Sequence, residues 1–202
     1  MIYLYGASGH AKVIIEILEL GKKKIGGLID ENSAISSIME YAVYEKMPDN
    51  FNNESDSFIV SVGGNAIRKK LVAQLNVPFD TAIHPSVNIS KSAKIGEGTV
   101  IMGGVSVNAD AKIGKHSIIN TNCSVDHDCV IGDFVHISPN VALEGDVTVE
   151  EGVHIGIGAC VIQGIKIGKW ATIGAGTVVI KDIPAFAVVV GNPGEIIKYQ
   201  EE

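Results

Sequence analysis

The stretch "KIGKHSIINTNCSVDHDCVIGDFVHISPN", residues 112–140, carries an aliphatic side chain every six residues: Ile113, Ile119, Val125, Ile131 and Ile137. Followed outward, the series runs back through Val107, Ile101, Ile95 and Ile89 to Ile83. Forward it continues through Leu143, Val149, Ile155, Val161, Ile167 and Ile173 to Val179, seventeen positions without an exception. A period of six fits neither an amphipathic helix nor an alternating strand. It fits a chain that turns after every short strand and returns the same side chain to a common axis. Four residues after each aliphatic stands a small or modest side chain, as in Ala93, Thr99, Val105, Ala111, Ser117, Cys123 and Cys129. The residue directly after is often glycine (Gly96, Gly114, Gly132, Gly156, Gly168, Gly174), which reads as permission to turn. Three such hexads make a three-sided coil of eighteen residues, and successive coils stack at the ordinary strand spacing of about 4.8 Å. Residues 81–183 are thus expected to form a parallel β-helix.

Residues 1–80 lack this period and alternate differently. "IYLY" (2–5) reads as an apolar strand running into "GASGH". "AKVIIEILEL" (11–20) reads as a helix ending at Gly21, and "IGGLID" (25–30) as a second strand. "SFIVSVGG" (57–64) gives a third, and "NAIRKKLVAQL" (65–75) a second helix. The alternation predicts a Rossmann-like βαβαβ domain. Residues 31–56 are a polar connection with no assigned structure, and 184–202 are expected to form a loop and a short helix.

Composition narrows the function classes. Hydrophobic residues make up 46 % and charged residues 19 % of the 202, so the chain can bury a substantial core. A net charge of -7 argues against a general nucleic-acid binder, which needs a basic stripe. No stretch approaches the roughly 18 apolar residues of a membrane span, and the first residues have no signal-peptide pattern. Three cysteines without CxxC spacing point to reduced thiols and a cytoplasmic setting.

Against this apolar pattern stands Asp126-His127-Asp128. His127 lies two residues after the inward Val125, an outward or corner position held elsewhere by Lys91, Glu97, Lys115, Asp133 and Lys169. Ala109 one coil below and Gly145 one coil above leave a groove beside the imidazole. His136 is half a coil from His127, so the two point to opposite sides of one chain; a site using both lies between subunits, with Asn120 in the same cleft. His154 stacks on His136. Histidines spaced by nine and eighteen do not form a zinc set, and no metal is expected. Cys123 and Cys129 fall at the inward small position and read as core. "GASGH" (6–10) brings glycine turns and backbone N–H groups to a strand–helix junction suited to phosphate. Asp30, ending the second strand, suits a ribose or base. Arg68, Lys69 and Lys70 read as a solvated helix face.

The motifs "YGASGHAKV" (5–13), "SVGGNAIRKKL" (61–71), "IHPSVNIS" (83–90), "VDHDCVIGDFVHISPN" (125–140), "IGAGTVVIKDIP" (173–184) and "GNPGEII" (191–197) occur in this order. Together they resemble the hexapeptide-repeat acetyltransferases of bacterial glycan biosynthesis, which include UDP-4-amino-sugar N-acetyltransferases and sialic acid O-acetyltransferases. The resemblance implies a left-handed β-helix packed as a homotrimer, with active sites between subunits. It implies acetyl-CoA as co-substrate and a nucleotide-activated amino sugar as acceptor. His127 becomes the general base, with Asp128 or Asp126 orienting it; the family often has Glu at this place. Gly6, Ser8, Gly9, His10, Asp30 and Asn65 are assigned to the acceptor. Asn120, His136, Gly145, Ala175, Gly191, Asn192 and Pro193 are assigned to the acetyl-CoA and active-site cleft, where Asn120 and His136 line the acetyl and acceptor site. The same base serves an amine or a sugar hydroxyl, so O-acetylation is the alternative reading. A metal-dependent β-helix lyase and a non-catalytic scaffold are more distant ones.

Overall fold

A computed structural model describes residues 1–201. The N-terminal part contains strands β1 (Ile2–Tyr5) and β2 (Ile25–Ile29) flanking helix α1 (Gly9–Leu20). The hairpin β3 (Ser37–Ile38) and β4 (Tyr41–Tyr44), strand β5 (Ser57–Val60) and helix α2 (Asn65–Gln74) follow. The sheet order is β3-β4-β2-β1-β5, parallel throughout except for the β3–β4 hairpin. That hairpin lies in the polar connection. Its longer strand, β4, lies between β2 and the two-residue edge strand β3 and has no fully buried residue, which is why its sequence carries no strong apolar signal. The last strand of the expected βαβαβ shrinks to a single parallel bridge, Phe58 to Phe79.

From Ala82 onward the chain winds into a three-sided prism. Each face is a parallel sheet of two-residue strands whose partners lie eighteen residues apart, as in Ser106 with Ser124, Lys112 with Val130, and Ile118 with His136. The outward side chains give the faces distinct characters. One is small and polar (Ser106, Ser124), one carries lysines (Lys94, Lys112, Lys166), and one carries His136 and His154. The inward aliphatics from Ile101 to Val179 form the core, joined by the small residues of the second series. Ile83, where the prism begins, is 37 % exposed.

The turns differ from expectation in an instructive way. The left-handed residue of each corner stands three places after the aliphatic: Asp110, Asp128, Asp146 and Gly164 on one edge, His116, Phe134, Gly152 and Trp170 on another. Asp and Asn tolerate this backbone region better than most residues. The glycines directly after the aliphatics have another cause: a Cβ at Gly114 would stand 2.6 Å from the carbonyl carbon of Gly132 in the next coil. There the stacking distance, and not the turn, demands glycine.

The two parts share one apolar core. Leu4, Ala11, Ile14, Ile15 and Leu18 cluster with Ala82, Val100, Met102 and Ile118 of the first coils. The histidine face is therefore covered by the N-terminal part below and open above. The C-terminal segment corrects the expected short helix. Ala187–Val190 pairs parallel with Thr172–Ile173, and Glu195–Tyr199 returns antiparallel beside it. A segment this short cannot nucleate a stable helix, whereas the last coil offers an open ladder edge. No helix among the described residues is long and apolar enough to cross a membrane.

Candidate active site

His127 sits at the corner between the small-polar and lysine faces, and backbone bonds from coil to coil fix it. The Asp128 N–H donates to the Ala109 carbonyl at 3.0 Å, and the His127 carbonyl accepts from Asp146 N–H at 2.9 Å. The left-handed backbone at Asp128 (φ 61) turns its carboxylate back on the imidazole, placing Oδ2 2.8 Å from His127 Nδ1. Asp126 is occupied otherwise: its Oδ1 accepts from the His127 N–H at 2.7 Å and from Asn108 Nδ2 at 2.6 Å. The two aspartates are thus geometrically distinct, one on the ring and one on the backbone. The imidazole lies over Gly145, where a Cβ would stand 2.6 Å from Cε1. It borders a cleft of about 370 Å³ with Asn108, Ala109 and Asp126. The Asp128 hydrogen bond, then the charge of Asp126, raises the His127 pKa above its ordinary 6.5.

His136 occupies a different side of the prism. Its ring stacks on His154 at 5.0 Å between centroids, and Nε2 lies 3.2 Å from Asn120 Nδ2. With Gly63, Gly64, Asn65, Trp170 and Thr172 these histidines line a cleft of about 430 Å³ between the N-terminal part and the prism. Burial, the neighbouring His154 and the Arg68 charge lower the His136 pKa to about 3, so the ring is neutral.

The N-terminal crevice lies at the C-terminal ends of β1 and β5, either side of the point where the chain reverses its strand order. Gly6 (φ +109) lets the loop pass Val62, whose Cγ2 would stand 2.8 Å from an added Cβ. Asp30 braces the loop, accepting from Ala7 N–H at 2.7 Å and from Asn32 N–H at 2.9 Å. Ser8 is the N-cap of α1 without using its hydroxyl, and nothing lies within 4 Å of an added Cβ at Gly9 or Gly63. His10 Nε2 is buried without a partner, and burial together with the Arg68 charge lowers its pKa to about 4.

Within one chain the expected site residues therefore fall into separate groups. Asp126, His127, Asp128 and Gly145 come together, as do Asn120 and His136, and as do Gly6, Ser8, Gly9, His10 and Asp30. Ala175, Gly191, Asn192 and Pro193 lie exposed towards the third corner, between the histidine and small-polar faces. Asn65, expected to touch the acceptor, spends its amide on the carbonyls of Gly152 and Val153, both at 3.1 Å. Among the described residues no group of three or more His, Cys, Asp and Glu is gathered as a metal site. Cys123 and Cys129 are buried, and burial pushes the Cys123 thiol up to about 11.

The expected solvated helix face at Arg68 is overturned. Arg68 is 1 % exposed and is anchored between α2 and the prism. The one available signal was its solitude: fifteen of the sixteen Lys and Arg residues are lysine, so the only guanidinium marks a place that needs a fork of donors.

Comparison with known proteins agrees with this architecture. A family model described as "PglD N-terminal domain" matches residues 1–75, and "Bacterial transferase hexapeptide (six repeats)" matches residues 110–145. Among solved structures, PerB from Caulobacter crescentus in complex with CoA and GDP-perosamine is 36 % identical. The alignment covers 98 % of this chain and 97 % of that one, with a TM-score of 0.90. The acetyltransferase domain of PglB from Neisseria gonorrhoeae FA1090 in complex with acetyl coenzyme A is 34 % identical, with 97 % and 98 % covered and a TM-score of 0.89. UDP-N-acetylbacillosamine N-acetyltransferase of Bacillus subtilis (strain 168) is 54 % identical over 48 residues, 22 % of each chain. The chain spans about a fifth of the length of the curated relatives it matches. It belongs to the family of hexapeptide-repeat sugar acetyltransferases with a PglD-type N-terminal domain.

Proposed function

We propose that the protein transfers the acetyl group of acetyl-CoA to the amine of a UDP-linked 4-amino sugar, with His127 as general base oriented by Asp128. The observation that carries this reading is the His127 Nδ1–Asp128 Oδ2 contact of 2.8 Å. It leaves Nε2 as the basic nitrogen of an exposed imidazole at the edge of a cleft. Thioesters already have a good leaving group, so one base near neutral pH is the main requirement. His127 Nε2 takes a proton from the sugar amine as its nitrogen attacks the acetyl carbon. The resulting oxyanion collapses, the C–S bond breaks, and the CoA thiolate recovers the proton from the imidazolium. Asp128 stabilises that imidazolium, as the acid does in a triad. Transfer is direct, within a ternary complex; the buried, high-pKa Cys123 is unsuited to carry an acyl group.

An amine acceptor is favoured over a hydroxyl by charge. Asp126, Asp128 and Asp146 all act on His127, and this acidic corner attracts the acceptor as its ammonium form, which gives one proton to solvent before the free amine attacks. The crevice formed by Gly6, Ser8, Gly9 and His10 at the start of α1 suits the acceptor's diphosphate. The working unit is a homotrimer, since His127 and His136 stand on different sides of one prism and serve one reaction only across an interface. Three unbonded cysteines accord with a reducing, cytoplasmic compartment.

The test is CoA thiol release by the purified protein with a UDP-4-amino-4,6-dideoxy sugar, GDP-perosamine and a sialic acid, His127→Ala beside the native chain. Turnover with the UDP-amino sugar that falls by roughly 10²–10⁴ in the variant is expected. Preference for GDP-perosamine would change the nucleotide, turnover of sialic acid alone would change the reaction, and a loss below tenfold would remove His127 as base.

A further inference from the structure

Arg68 holds the two parts of the molecule together with every donor it has. Nε donates to the His116 carbonyl at 2.7 Å. Nη1 donates to the carbonyls of Val62 at 2.9 Å and Gly63 at 3.1 Å. Nη2 donates to Asn65 Oδ1 at 2.9 Å and to the Phe134 carbonyl at 3.1 Å. Two of these partners belong to the loop after β5, and two belong to successive coils of the prism. Asn65 then extends the latch one coil further, to Gly152 and Val153. A lysine ammonium, a single point with three donors, cannot span this set; a planar fork can.

The loop so fastened is the one that faces His136. Gly63, Gly64 and Asn65 form one wall of the cleft, and His136 and His154 form the other. Gly63 itself has nothing within 4 Å of an added Cβ, so the cleft is open at that point. Among the described residues no carboxylate lies within ion-pair distance of Arg68. Its charge is solvated by peptide carbonyls and the Asn65 amide oxygen, and it acts beyond them on His10.

We propose that Arg68 is a positioning residue of the acceptor cleft, fixing the Gly63–Gly64 loop at a set distance from the His136 wall. The proposal rests on the proposed function and extends its acceptor site from the Gly6–His10 crevice to this cleft, since His10 of that crevice is near enough to act on His136. A second consequence is electrostatic. Burial and then the Arg68 charge lower the His10 pKa, and burial, His154, Arg68 and His10 in turn lower that of His136. Both rings are therefore neutral hydrogen-bonding groups at neutral pH, and the cation behind them favours an anionic acceptor in a chain whose net charge is -7.

Arg68→Lys, Arg68→Met and Asn65→Ala separate shape from charge. In the protein without substrate, all three are expected to lower the backbone NMR order parameters of Gly63 and Gly64, Asn65→Ala least. Proton NMR of the His10 ring should give a titration near the native one in Arg68→Lys and a pKa higher by about half a unit or more in Arg68→Met. In turnover, the acceptor KM should rise by about tenfold or more in both Arg68 variants, with the acetyl-CoA KM unchanged. Should Arg68→Met not fold, Arg68→Lys and Asn65→Ala still test the latch through the order parameters and KM. Native order parameters at Gly63 and Gly64 in Arg68→Lys, or a native acceptor KM, would overturn the positioning role; an unmoved His10 titration in Arg68→Met would overturn the charge effect. The NMR readouts need no turnover, so they stand or fall apart from the acetyltransferase reading.

Discussion

At the scale of the residue, the proposed catalytic corner is a matter of which carboxylate the backbone aims. Asp126 and Asp128 flank His127 symmetrically in sequence, yet only Asp128 occupies the left-handed corner, and only its carboxylate meets the ring. Asp128→Asn is expected to cut kcat by about 10²-fold or more, since the imidazolium loses its partner. The same change shifts the pH profile. The proposed base acts when neutral, so kcat/KM is expected to fall as pH drops through the raised pKa of His127, above 6.5. With Asn at 128 that acid limb should move to lower pH, which a kcat/KM profile reads directly. Gly145→Ala offers a cleaner perturbation: its Cβ would stand 2.6 Å from the imidazole and must displace it. A kcat loss of about tenfold or more with little change in thermal midpoint is expected, since the added methyl strains the ring and not the coil.

At the scale of the element, one corner of the prism stacks ring on ring. Phe79 meets the edge of the His116 ring at 4.6 Å, and that ring stacks on Phe134 at 5.2 Å. His116 is buried, its Nδ1 lacks a partner, and burial lowers its pKa to about 4. A histidine whose folded pKa lies below its unfolded 6.5 binds fewer protons folded than unfolded between those values. Stability therefore falls as pH drops from about 6.5 towards 4, by up to about 1.4 kcal/mol per pH unit for each such ring. His116→Phe removes one contribution, and the backbone tolerates it, because Phe134 and Phe186 already occupy the same left-handed position. Urea denaturation at pH 7 and pH 5 should show a smaller loss in the variant than in the native protein. Equal losses would mean that His116 does not titrate between the two states.

At the scale of the whole molecule, the separation of the two histidine groups makes the proposed trimer testable. His127 on one corner and His136 on another face serve one reaction only if neighbouring subunits share each site. Mixing subunits with His127→Ala and subunits with His136→Ala should restore about a quarter of the native activity after random reassembly. One interface in four then joins the two intact halves. No recovery would place each site within a single chain and remove the need for a trimer.

The sequence by itself determined the prism. A six-residue series without a gap returns its aliphatics to one axis, and the glycines directly after them follow from the stacking distance. It also determined that "GASGH" ends a strand and begins a helix, because glycine, N-cap serine and helical periodicity are local signals. Tertiary structure decided the rest. The β3–β4 hairpin exists because an edge of the sheet was available to it, and the last segment is a strand because the final coil left a ladder open. Arg68 was unreadable from its neighbours, since on an isolated α2 its side chain would reach water. Only the docking of that helix on the prism brings backbone carbonyls from two coils within reach of one guanidinium. Local patterns fix what each segment becomes; the burial of one segment against another fixes which polar groups must find partners, and that is settled in three dimensions.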